Sequence, residues 1–364
     1  MLITCLALAQ LLAPAPASEP PGFTLLVCPT AEGNPRNTEG SIVELKDGRL
    51  LLAYSHFYGG AQDHGSARIA GKVSSDGGRT WGEAFTVQEN TGRQNVMSVS
   101  LLRLASGRIG LFYLVKNGDD DLKLMMRTSS DEAKTWSETV CATPEDGYNI
   151  VNNDRVVQLY GGRLVAPVSY SPDIHKNGHL TIFCFLSDDE GKTWRKGAST
   201  LDLPKRGAME PGVVQRADGS LLMVIRTQLG RIYTSTSADR GDHWTPAEPS
   251  DIASPESPAT IKRVPKSGDL LLVWNNNTSG GADHGGRRTP LTAAISRDGG
   301  KTWGKPRDLE TDPARTFAYT SIAFVGKNVL LTYYDSPGWE PLALRFRSVP
   351  LKWFYGDKGL GSRE

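Results

Sequence analysis

Carboxylates, arginines and a tyrosine recur in this chain at matching places of a repeated unit, where a common point of convergence would let them bind charge and move protons. Glu39, Ser98, Asn153, Glu210, Ser257 and Tyr319 each stand just ahead of a short apolar strand. A second set ends the strands that follow: Ser55 and His56, Ser169 and Tyr170, Arg226 and Thr227, Asn275 and Asn276, Tyr334 and Asp335. A third lies in the next loops: Gln62, Asp63 and His64 with Arg68, the run Asp119 to Asp121, Arg231, and Asp283 and His284 with Arg287 and Arg288. Carboxylates and guanidinium groups meeting in one place are the expected makeup of an enzyme site, although a water-filled channel also carries polar residues.

Convergence requires an element that repeats, and the chain carries one. Ser-x-Asp-x-Gly-x-Thr-Trp occurs as SSDGGRTW (Ser74 to Trp81), SSDEAKTW (Ser129 to Trp136), SDDEGKTW (Ser187 to Trp194), SADRGDHW (Ser237 to Trp244) and SRDGGKTW (Ser296 to Trp303). The second copy has Ala133 for the glycine and the fourth has His243 for the threonine. A repeat of roughly fifty to sixty residues is the signature of a propeller or solenoid. Chemistry needs one site and not five, so these aspartates read as turn formers: a short acceptor side chain, a glycine for positive φ, and a tryptophan anchor.

Strands aligned on their turns (SIVEL, SLLRL, RVVQL, GVVQR, TIKRV, SIAFV) number six, one more than the boxes. The spacing therefore predicts an all-β, six-bladed β-propeller with five boxed turns, without helices of consequence. The ring would be closed by Phe23 to Val27 supplying the outer strand that the C-terminal unit lacks. In antiparallel blades the polar sets above share one face, and the boxes take the other.

The 364 residues carry 41 Lys and Arg against 40 Asp and Glu, with 38% hydrophobic residues. That balance argues against nucleic acid or a membrane surface as the main partner and leaves room for one sizeable core. Residues 1–18 have an apolar run followed by small residues and prolines, the pattern of a cleaved secretory signal, leaving 19–364 as one domain in a secreted or periplasmic protein. Cys28, Cys141 and Cys184 allow at most one disulfide, and the scattered histidines have no metal-ligand spacing, so neither metal nor cofactor is expected.

At Glu210 in MEPGVV, Arg226 in VIRT, Arg288 ahead of LTAAIS, Tyr319 in FAYTSI and Asp63 in the first loop, the chain resembles the sialidase superfamily from about Phe23 to its end. The resemblance implies that Tyr319, paired with Glu210, attacks the anomeric carbon. Asp63 would act as acid/base, and Arg226 and Arg288 (with Arg287 as rival) would hold a substrate carboxylate. Family members usually open the first blade with Arg-Ile-Pro. The alignment here puts Thr38 in the arginine's place, with Arg36 two residues away and Glu39 beside it, a carboxylate to be balanced by Arg36 or Arg68. Asn153 joins the candidates for reading sugar hydroxyls. The implied function is an exo-acting hydrolase on sialylated or other acidic glycans, working as a monomer without membrane insertion. A glycosidase or lyase for another acidic sugar, and a carbohydrate-binding propeller, remain as alternatives.

Overall fold

A computed structural model describes residues 19–277, 287–338 and 340–356. The expected leader, residues 1–18, and Asp283 and His284 lie outside them. The regular structure of the described chain is almost entirely β-strand, with one short helix, Leu351–Tyr355.

Four sheets are four-stranded and antiparallel. The first comprises Arg36–Glu44, Leu50–Phe57, Ala67–Ser74 and Phe85–Gln88. Two further sheets start at Met209–Gln215 and Thr260–Arg263. In the last, Phe23–Cys28 lies outermost and pairs antiparallel with Ala343–Pro350, joining the two ends of the described chain. Arg36–Glu44 meets Asn95–Arg103, Met209–Gln215 meets Leu164–Ser171 and Thr260–Arg263, and Thr316–Val325 meets Thr260–Arg263 and returns to Arg36–Glu44. Apolar clusters fill the space between neighbouring sheets, for example Val43, Ala53 and Ile69 against Val99, Leu111 and Tyr113.

The fifth sheet departs from the expected pattern. Gly147–Ile150 pairs in parallel with Asp121–Ser129 and antiparallel with Leu164–Ser171, merging two units into one nine-stranded sheet. The RVVQL strand shrinks to Val157–Gln158. The cause lies upstream: Asp154 adopts φ 59° and Arg155 is buried, its guanidinium donating to Thr260 Oγ1 (3.0 Å) and the Ala259 carbonyl (2.9 Å). Anchored there, the segment cannot extend the ladder.

A bulge recurs on the inner strands. Register shifts fall between Thr38 and Ser41, Met97 and Ser100, Met209 and Gly212, and Ala318 and Ser321. Glu39, Ser98, Glu210 and Tyr319, inside those shifts, have φ of 55°, 54°, 40° and 55°. A bulge re-aims a side chain, and left-handed backbone in non-glycine residues is held only where surrounding contacts enforce it. Four of the six polar residues ahead of the apolar strands, Glu39, Ser98, Glu210 and Tyr319, are therefore specially placed by the backbone.

The boxed turns stand apart. Ser187 Oγ donates to Asp189 (2.8 Å) and accepts the Gly191 N–H (2.8 Å), Asp189 accepts the Thr193 N–H (2.9 Å) and hydroxyl (2.6 Å), and Trp194 Nε1 donates to the Gly191 carbonyl (3.1 Å). In the fourth box His243 Nδ1, 2.7 Å from Asp239, replaces the threonine hydroxyl. Ser187→Ala should remove a buried hydroxyl and leave the Gly191 N–H unsatisfied. A loss of about 1–2 kcal/mol in urea unfolding is expected, and no change would contradict a structural role for the box.

Candidate active site

One cavity of about 470 Å³ gathers Arg36, Asp63, Glu210, Arg226, Arg288 and Tyr319, with Thr38, Tyr148, Arg206 and Tyr334 also in its lining. No boxed turn contributes.

Tyr319, on Thr316–Val325, donates its hydroxyl to Glu210 Oε1 at 3.1 Å. Arg226, the last residue of Leu221–Arg226, donates Nη1 to the other Glu210 oxygen. Burial pushes the Glu210 carboxyl up, but Arg226 and Arg288 outweigh it and hold the group below its usual range. Burial raises the Tyr319 phenol, and the Glu210 charge adds to that against Arg288 and Arg226. The resting pair is thus a neutral phenol hydrogen-bonded to a carboxylate, the arrangement in which a base takes a proton from a hydroxyl. The Arg288 guanidinium stands 5.7 Å from the Tyr319 ring centre and donates to the Tyr334 hydroxyl at 2.9 Å.

At the other side Arg36 Nη1 donates to Asp63 Oδ1 (2.6 Å), Nη2 to Glu39 Oε2 (3.3 Å) and Nε to Thr38 Oγ1 (3.0 Å). Arg36 is the main cause of an Asp63 carboxyl held below its usual range. Burial raises Glu39, with Arg36 opposing. The Asp63 loop is pinned by Asn95 Nδ2, which donates to the Asp63 (2.8 Å) and Gly65 (2.9 Å) carbonyls.

Several expectations need correction. The alignment put Thr38 in the first-arginine position, but alternation along the strand turns Arg36 and Thr38 to the same cavity, so the arginine is present there. Glu39, 5% exposed, lies outside the lining, bound to Arg36 and to the Ser98 hydroxyl (2.7 Å). Asn153 is fully buried and donates to the backbone carbonyls of Gly40 and Tyr319 (both 2.9 Å), holding the inner strands and not the cavity wall. Arg68 is drawn outward to Thr86 (2.9 Å), and Arg287 is exposed, leaving Arg288 in the cavity.

Tyr148, Arg206 and Glu256 were not singled out from the sequence. Tyr148 comes from the strand that joins two units, outside the repeat alignment. Glu256 is adjacent to the aligned Ser257, and that adjacency was the available signal. Its side chain, 2% exposed, pairs with Arg226 Nη2 (3.2 Å) and Arg206 and accepts from Gln228 Nε2 (2.8 Å). Glu256→Gln should cost about 2–3 kcal/mol of stability, because two arginines lose a charge they share; an unchanged urea midpoint would show that Glu210 alone holds Arg226.

Among the described residues no group of three or more His, Cys, Asp or Glu side chains could hold a metal, the three cysteines are free, and no helix is long and apolar enough to cross a membrane.

Residues 48–330 match the model of the BNR repeat-like domain. The sialidase of Micromonospora viridifaciens is 26% identical over 387 aligned positions, covering 94% of this chain and 56% of that one. The sialidase of Paraclostridium sordellii is 28% identical over 57% of each. This chain thus spans little more than half the length of these relatives. Among solved structures, a Dyadobacter fermentans protein of unknown function has a TM-score of 0.75 at 18% identity, covering 92% of this chain and 99% of that one. The NanB sialidase of Streptococcus pneumoniae has a TM-score of 0.71 at 16% identity, covering 91% and 71%. With a domain match across most of its length and a propeller-like fold shared with sialidases, the chain belongs to the BNR repeat-like domain family as a sialidase-like member.

Proposed function

We propose that this protein is a retaining exo-glycosidase of sialidase type, built on a six-bladed propeller, that releases terminal sialic or related 2-keto acidic sugars. The observation that carries the reading is the Tyr319 and Glu210 pair set in one cavity with Arg36, Arg226 and Arg288. A 2-keto sugar acid bears a carboxylate on its anomeric carbon, which repels an anionic nucleophile. A neutral phenol that gives its proton to Glu210 during attack avoids that repulsion, and sialidases with a tyrosine nucleophile are a known exception to the two-carboxylate rule. The arginines would hold the substrate carboxylate through charge-assisted hydrogen bonds.

In the first displacement Tyr319 oxygen bonds to the anomeric carbon, the glycosidic bond breaks, and Asp63 gives its proton to the leaving oxygen. In the second, Asp63 takes a proton from water, the water oxygen replaces Tyr319, and the phenol recovers its proton from Glu210. Two inversions give net retention. The reading includes residues 1–18 as a leader for secretion and a monomeric mature domain.

The test is release of fluorophore from an aryl α-sialoside by the purified protein, with the first-formed anomer followed by proton NMR. Turnover giving the α-anomer first supports the reading. An inert protein would rule out this substrate and turn the assignment to another acidic sugar or to a binding propeller; β-anomer first would rule out the double displacement.

A further inference from the structure

Arg36 is engaged by two carboxylates, Asp63 and Glu39. Both Nη1 hydrogens are engaged, one by Asp63 Oδ1 (2.6 Å) and one by the Ala61 carbonyl (3.0 Å), while Nη2 faces Glu39 (3.3 Å) and Nε faces Thr38 (3.0 Å). Arg226 is likewise occupied, by Glu210 and Glu256. A ligand carboxylate that engages Arg36 or Arg226 must therefore compete with a carboxylate already there, whereas Arg288 donates to the Tyr334 hydroxyl and the Glu256 carbonyl. The candidates are not equal. The side chains of Glu39, Glu210 and Glu256 are 6%, 10% and 2% exposed, whereas that of Asp63 is 65% exposed. Stranding a buried carboxylate away from its arginine costs several kcal/mol, while an exposed one regains water.

We propose that the substrate's own carboxylate displaces Asp63 from Arg36, and that this exchange frees Asp63 to protonate the leaving oxygen. The inference rests on the sialidase-type reading and deepens it by making the substrate carboxylate a requirement for acid catalysis as well as for binding. Asn95 fixes the loop backbone, so the release is a side-chain rotation into solvent-accessible space. A sugar lacking the carboxylate would leave Asp63 tied to Arg36 and ionised, unable to act as an acid.

The exchange has a proton signature. The charged and titratable groups around Asp63 are Arg36 and Glu39 on its inner side, His64 on its own loop, Lys116 on the neighbouring strand beside Asn95, Tyr148 and Tyr319 in the cavity lining, and Glu340, held by Gln62 beside it. Of these Arg36 depresses the Asp63 carboxyl most, with Lys116 and His64 adding to it. Replacing Arg36 by a nearby substrate carboxylate removes the main stabiliser of the ionised form and adds a like charge, so the carboxyl rises on binding. Between its free and bound values, binding must take up a proton.

Titration calorimetry with 2,3-didehydro sialic acid, a non-hydrolysable ligand, in buffers of different ionisation enthalpy at mildly acidic pH measures that uptake. Wild type and Glu39→Gln should take up a large fraction of one proton per ligand, and Asp63→Asn should bind without uptake. Wild-type binding without uptake, or uptake that survives in Asp63→Asn, overturns the exchange while leaving the sialidase-type reading in place. Uptake lost in Glu39→Gln and kept in Asp63→Asn would assign the proton to Glu39 and overturn it equally. Failure of the wild type to bind this ligand at all removes the sialoside reading and the exchange together.

Discussion

Tyr319→Phe is expected to lower turnover of an aryl α-sialoside by at least about a thousandfold with little change in folding, because it deletes the proposed nucleophile and almost nothing else. The ring keeps its packing 5.9 Å from Tyr334 and its place under Arg288. What the protein loses is one hydrogen bond to Glu210, whose other oxygen stays with Arg226, at a cost of about 1 kcal/mol in stability. The two readouts must separate: thermal unfolding near wild type, rate collapsed. A variant that retained turnover within tenfold of wild type would exclude Tyr319 as the attacking group. One that lost rate and fold together would leave the role of the hydroxyl to be read from Glu210→Gln, which keeps the phenol but removes its proton acceptor.

Arg226→Ala should be the most destabilising single change in the site. It leaves Glu210 and Glu256 buried without the guanidinium they share, and breaking buried pairs in this way costs about 3–5 kcal/mol. Arg206 still holds Glu256, so most of the penalty falls on Glu210. The pH dependence identifies the cause. In the wild type Arg226 and Arg288 overcome burial and keep the Glu210 carboxyl low, so its contribution is present above the unfolded carboxylate value and is lost as pH falls through the folded one. Without Arg226 burial is no longer offset in full, and the carboxyl rises. The deficit of Arg226→Ala should therefore shrink as the pH drops through the carboxylate range. Adding Glu210→Gln should recover part of the stability at neutral pH but not ligand binding. A deficit independent of pH, or no recovery in the double variant, would point to lost packing instead of stranded charge.

The all-β character and the repeating unit could be read from the five boxed phrases because their logic is local. Ser187, Asp189, Gly191, Thr193 and Trp194 satisfy one another within eight residues, and even the degenerate fourth copy rebuilds the same contact with His243. Tyr319, Glu210 and Arg226 were legible for a related reason. They occupy repeat positions where packing asks for nothing polar: Glu210 and Tyr319 sit in bulges of inner strands, and Arg226 ends the strand that follows Glu210. The first arginine was misread because Arg36, Thr38 and Glu39 are close in sequence and differ only in which way a bulged strand turns them. Arg36 and Thr38 face the cavity, while Glu39 at φ 55° lies behind.

The sequence by itself determined the β-architecture, the separation of boxed turns from the polar set, and the residue types available for chemistry, since each depends on contacts a few residues long or on periodicity. Only the tertiary structure decided which arginines share a cavity, that Arg287 faces solvent where Arg288 does not, that Tyr148 arrives on a strand joining two units, and that Glu256 holds Arg226 and Arg206 together. Those outcomes depend on pairings between residues from separate units, such as Glu210 with Tyr319. Burial then sets their energetics. An ion pair such as Arg226 with Glu210 is strong because water is excluded from it, and exclusion of water is a property of the assembled sheets and not of any one segment.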